Sequence, residues 1–157
     1  MKLLFVSLLL STAAAFGGDD GAPSITKLEV FPTAKIDAVY RIRIPPDSMV
    51  LEAIQAFIDK NGIQDGAVLT GLGSVHGCTV HGVGSKMRVF TEDMELDSLE
   101  GIIASGQPHL HAVLSYEKGA VGGHLEKNCK VLSHVELTIV HFAGTPVLRE
   151  KGELKAK

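Results

Sequence analysis

The sequence predicts an α+β domain in which one main helix packs on a mixed, mainly antiparallel sheet. Two observations carry this expectation. One segment alone, from Val50 to Gly62, repeats apolar residues at helical spacing, and from Gly66 onward short apolar or alternating runs follow one another with turn residues between them.

The N-terminus reads as an export signal. Lys2 is followed by an apolar run from Leu3 to Leu10 broken only by Ser7, and Ala13-Ala14-Ala15 supplies the small residues that a signal peptidase reads. A signal peptide over residues 1–15 is therefore expected, with cleavage after Ala15 and delivery to the periplasm or the outside of the cell. The run is too short to span a bilayer, which takes roughly 20 apolar residues, so a membrane partner is not expected. Residues 16–24 are rich in Gly and Asp and read as a linker. About 140 residues remain, enough for one domain with its own core. That domain is assigned to residues 25–144, and the polar, lysine-rich residues 145–157 to a frayed tail.

Within the domain the elements follow in order. Ile25 to Phe31 is an apolar strand candidate. In Val39 to Ile44, Val39, Arg41 and Arg43 share one face while Tyr40, Ile42 and Ile44 share the other. Pro45-Pro46 ends that strand, Asp47 or Ser48 is placed to cap a helix, and Val50, Leu51, Ile54, Phe57 and Ile58 recur at helical spacing up to Asn61-Gly62. Strands are then expected at Ala67 to Leu72, Cys78 to His81, Lys86 to Phe90 and Met94 to Ile103. Gln107 to Ser115 and Val121 to Leu125 form a hairpin about Glu117-Lys118-Gly119. Last comes Val131 to Phe142, with Val135, Leu137 and Ile139 on one face and His134, Glu136 and Thr138 on the other.

The hairpin carries the chemistry. His109 and His111 are two residues apart, so on a strand both leave the same face, and the returning strand brings His124 beside them. Three neutral imidazoles with an open fourth position suit zinc. His76 and His81 flank Gly77-Cys78 and offer a fourth ligand or a supporting contact, or else stand exposed at a strand end. Glu136 is the candidate catalytic carboxylate, able to orient a metal-bound imidazole or take a proton. His134 and His141 have no motif and receive no role. Gly71-Leu-Gly73 is too short and too poorly placed for a dinucleotide fingerprint, and the segment that follows lacks helical periodicity.

Charge and cysteines bound the partners. The net charge is −3 with no Trp, which gives no electrostatic footprint for a nucleic acid and leaves few stacking platforms. Cys78 and Cys129 are the two cysteines. In an exported chain they can close one disulfide, and as residues of apolar runs they can equally be buried free thiols; neither belongs to a Cys-x-x-Cys zinc motif.

Taken together, Tyr40-Arg-Ile-Arg43 with its following helix, Gly71-Leu-Gly-Ser-Val75, Glu95 to Ile102, Pro108-His-Leu-His111, Gly122-Gly-His-Leu125 and Cys129-Lys-Val131 leading to Glu136 resemble the plants-and-prokaryotes conserved (PPC) domain, also called DUF296. The resemblance spans Val39 to Phe142. It implies a homotrimer and, in stand-alone prokaryotic members, a metal, usually zinc, held by three histidines, here His109, His111 and His124. In plant members the domain follows a basic AT-hook and serves assembly and partner binding; this sequence shows no such segment, and Glu100 stands where a small polar residue is expected. The expected function is an exported zinc-binding trimer that captures a small ligand at the metal's open position. A zinc-dependent hydrolase or lyase is the alternative, and a DNA-associated protein is less favoured.

Overall fold

In the computed structural model, residues 28–84 and 86–156 are described, and the described residues from Phe31 onward form one compact unit. The export segment, the whole linker and residues 25–27 lie outside the described residues. The elements are β1 (Lys35–Ile44), α1 (Val50–Asn61), β2 (Asp65–His81), β3 (Arg88–Ala104), β4 (Gln107–Tyr116), β5 (Gly119–Leu125), β6 (Val131–Ala143), β7 (Val147–Glu150) and β8 (Glu153–Ala156). No helix among the described residues is long and apolar enough to cross a membrane.

Six strands form one sheet in the order β1-β6-β2-β3-β4-β5, and a further pairing of β2 with β5 closes β2, β3, β4 and β5 on themselves. Every named strand pairing is antiparallel. The domain is thus mainly β with one short helix, a correction to the mixed sheet and to the balance that the α+β label implies. No strand covers residues 28–34, so the strand expected from Ile25 to Phe31 does not form in its described part.

Four of the short strands expected after the helix are two long ones. β2 and β3 each run 17 residues, with register shifts between His76 and Cys78 and between Leu96 and Ser98. An extra residue at a bulge bends a strand and breaks its alternation, which makes one curved strand read as two.

The helix stops where its sequence directs: Gly62 takes the left-handed conformation (φ 63°) and its N–H reaches the carbonyls of Asp59 and Ile58. Its start differs from expectation. Met49 is the cap residue and makes no side-chain cap; instead the Val50 N–H donates to the Cys129 carbonyl at 2.8 Å. Asp47 turns to Lys130, with Oδ1 2.7 Å from Nζ. Backbone from a distant segment therefore satisfies a donor that a capping carboxylate or hydroxyl would otherwise serve.

Val50, Ile54 and Ile58 of α1 enter a core with Ile63, Leu96, Leu99, Ile103, Leu110, Leu114, Leu125 and Ile139, all at most 2 % exposed. Each such burial is worth about 1.5–3 kcal/mol relative to exposure. Cys78 and Cys129 join in a disulfide, which resolves the alternatives left open above and ties the segment before β6 to β2. The supposed frayed tail is a hairpin, β7 paired with β8. It is held by the Val147 N–H donating to Asp65 Oδ2 at 3.0 Å and the Arg149 N–H donating to Ser105 Oγ at 2.9 Å. Its composition is polar because it lies on the surface, and two hydrogen bonds to the β2 and β3 termini order it.

Candidate metal centre

The register of four strands assembles the site. Glu100 pairs with His111, His111 with His124, and His124 with His81. Directly opposed residues of antiparallel strands project from the same face. One rank of side chains therefore runs Glu100, His111, His124, His81, and the next holds the paired Ile102 and His109. The intervening Leu110, Ala112 and Leu125 point into the core. Two glycines permit this closeness: a Cβ on Gly123 would lie 2.5 Å from the His81 carbonyl oxygen, and one on Gly101 2.0 Å from that of His109.

The ligand atoms of His109, His111 and His124 lie within 4.8 Å of one another. Ring centroids are 4.7 Å apart for His109 and His124, 5.4 Å for His109 and His111, and 5.7 Å for His111 and His124. Burial, chiefly, holds both His109 and His124 below the ordinary imidazole range. For His109 the neighbouring His124, Arg149, His111 and His81 add to this; for His124 the Glu126 carboxylate pulls the other way and His81, His111 and Arg149 add to the lowering. Both rings are thus neutral at neutral pH, the state in which imidazole donates a lone pair to a metal. Donor type, number and convergence fit a divalent transition metal. Zinc bonds of about 2.0–2.1 Å require the rings to close somewhat from their present spread.

The surrounding residues include several the sequence did not single out. Glu126 Oε1 lies 2.8 Å from Nδ1 of His81 and 3.9 Å from Nε2 of His124; its approach to His81 is off the line of a hydrogen bond, and the buried Nδ1 makes none. The spacing His124-Leu-Glu126 repeats that of His109-Leu-His111 and was the available signal. Arg149 of β7 lines a cavity of about 350 Å³ with Glu100, Gly101, Ile102, His109 and His111.

Glu136 is not part of this group. β6 pairs with β1 and with the Gly66–Val75 portion of β2, so Glu136 lies in a separate groove beside Arg41, Arg43, Thr70 and Leu72. The position expected for it next to the hairpin fails because β2, not β6, neighbours β5. His81 stands beside His124, with centroids 4.8 Å apart. His76 instead pairs with Asp93, His134 contacts Ser133, and His141 pairs with Asp37.

The Plants and Prokaryotes Conserved domain profile matches residues 32–143. The chain belongs to this family. Among solved structures, a plant- and prokaryote-conserved protein of Pyrococcus horikoshii superposes with a TM-score of 0.70 at 24% identity, covering 82% of this chain and 97% of that one. A metal-containing protein of Archaeoglobus fulgidus gives 0.70 at 18% identity, covering 80% and 94%. A candidate DNA-binding protein of Bacteroides thetaiotaomicron gives 0.66 at 22% identity, covering 80% and 98%. At such identities the likeness establishes the fold. The bifunctional protein GlmU of a Synechococcus strain is 24% identical over 125 residues, 78% of this chain, and the chain spans 20% of that protein's length.

Proposed function

We propose that this PPC-domain protein binds zinc through His109, His111 and His124 and captures a small ligand at the remaining metal position, acting as an exported homotrimer. The observation that carries this reading is the convergence of three imidazoles on one face. The Archaeoglobus neighbour, described as metal-containing, lends it support. When bound, zinc would supply a Lewis-acidic position that polarises an oxygen-bearing ligand. The chain's own residues would hold that position, with the Glu126 carboxylate close enough to His81 and His124 to support them electrostatically.

Export is supported by the signal-like first 15 residues and by the Cys78–Cys129 disulfide, a bond typical of oxidising compartments. Trimer formation is supported by the exposed apolar Val39, Leu69 and Leu72 on β1 and β2, each at least 54 % exposed, which a subunit interface would cover. The test is zinc stoichiometry of purified protein with and without His109, together with its mass by light scattering.

Two further readings rest on specific observations. The carboxylate of Glu126 beside two imidazoles is the group a zinc-dependent hydrolase or lyase would use to move a proton. Turnover of simple esters or lactones that disappears in His111→Ala would establish it. The Bacteroides neighbour's description and the paired Arg41 and Arg43 favour a DNA-associated role. Against it stand the net charge of −3 and Glu136 between those arginines and β2. Duplex binding that persists near 150 mM salt would support the DNA reading.

A further inference from the structure

We infer that Arg149 is the anion-recognition element of the histidine site and selects a small carboxylate ligand; this rests on the metal-binding reading above. Arg149 lies beyond the residues that the family profile matches, 32–143, in the β7–β8 hairpin. That hairpin is fastened at its first strand by Asp65, a buried carboxylate only 7 % exposed, through the Val147 N–H. The Arg149 N–H is held by Ser105. Two anchors on either side of Leu148 fix where the Arg149 side chain departs.

The guanidinium is only partly engaged. Nη1 donates to the Gly152 carbonyl at 3.0 Å, while Nε is buried with no hydrogen-bond partner. Arg149 makes no ion pair among the described residues, although Glu150, its chain neighbour, pairs with Lys155. An arginine that shares the cavity with His109 and His111 and has no carboxylate ion-pair partner raises the local positive potential. Bound metal would add to that charge. A cavity with a cationic wall of this kind selects an anion.

The cavity narrows the class of anion. At about 350 Å³ it suits a small molecule. Its rim carries Glu100 on the rank next to His111, and Glu100 opposes a second negative charge on the ligand while accepting a hydrogen bond from a hydroxyl or amino group. Ile102, 43 % exposed, provides an apolar wall. One planar carboxylate with a neighbouring donor group meets all three features: the guanidinium fork takes the carboxylate, Glu100 the donor, and Ile102 the carbon chain. A dianionic phosphate meets the first and conflicts with the second.

Calorimetric titration of lactate and of inorganic phosphate tests this, using wild type, Arg149→Met, Arg149→Lys and His109→Ala, each with and without zinc. Zinc stoichiometry measured in the same samples reports on the metal reading separately. The expected result is lactate binding to wild type that weakens at least tenfold in Arg149→Met, with partial recovery in Arg149→Lys and zinc content unchanged in both. Lactate affinity equal in wild type and Arg149→Met, or no lactate binding by wild type, would overturn the inference. Preference for phosphate over lactate would overturn the carboxylate assignment. Loss of zinc from wild type with Arg149-dependent lactate binding intact would overturn the metal reading and leave Arg149's role standing.

Discussion

His81 and His124 face each other across the short β2–β5 pairing, with ring centroids 4.8 Å apart. Closure of four strands on themselves thus sets a fourth imidazole, and with it Glu126, beside the three that the hairpin brings together. The site depends on β5 reaching β2 as much as on the hairpin itself.

A methyl group at the closest approach tests that dependence. Gly123→Ala places a Cβ against the His81 carbonyl, at 2.5 Å before relaxation, and backbone must shift to relieve it. The expected cost is about 1–3 kcal/mol of stability, read from chemical denaturation, with weakened zinc binding. Gly84→Ala, where a Cβ meets nothing within 4 Å but φ is +61°, separates conformational strain from contact, and it should leave zinc binding intact.

Glu126 is expected to support the metal ligands. Glu126→Gln should weaken zinc about 10-fold or more, in the range usual for residues that orient ligating imidazoles, in a competition titration with a chromophoric chelator. Glu136→Gln, in its separate groove, should leave zinc affinity unchanged. Equal effects of the two changes would contradict the placement of Glu126 as the supporting carboxylate.

The depressed His109 and His124 ionisations make metal-free stability depend on pH. In the unfolded chain these rings take up protons near the ordinary value of 6.5; in the folded chain they resist protonation until lower pH. The unfolded state therefore binds more protons in that window. Stability is complete above about pH 6.5 and is lost as the pH falls toward the depressed folded values. Urea midpoints of chelator-treated protein should fall between pH 7.5 and pH 5, and should fall less in a His109→Gln, His124→Gln double variant. Parallel pH profiles for the two proteins would refute this.

The disulfide closes a loop between residues 51 positions apart. By loop entropy its loss should remove about 4 kcal/mol. A Cys78→Ala, Cys129→Ala double variant should show that loss in denaturation midpoints. The site should loosen with it, because Cys129 follows Glu126 by three residues and Cys78 precedes His81 by three.

What was legible in the sequence was local. The His-x-His spacing, the turn at Glu117-Lys118 and the helix from Val50 to Gly62 follow from periodicities and turn chemistry that neighbouring residues decide. What was not legible depended on pairings between distant segments. Bulges at His76/Cys78 and Leu96/Ser98 divided two long strands into four readings. The helix start was satisfied by the Cys129 carbonyl rather than by Asp47 or Ser48. Glu136 looked close to the hairpin only because the sheet order was unknown. Arg149 was hidden in a polar segment whose order comes from Asp65 and Ser105, more than 40 residues away in sequence.

The most direct test of the central claim is elemental analysis of the purified, untagged protein beside His109→Ala. Near-stoichiometric zinc in wild type, lost in the variant while its circular dichroism stays native, is the result expected from three converging imidazoles. Zinc retained in full by folded His109→Ala, or no metal in either protein after reconstitution, would contradict the assignment of His109, His111 and His124 as the metal ligands.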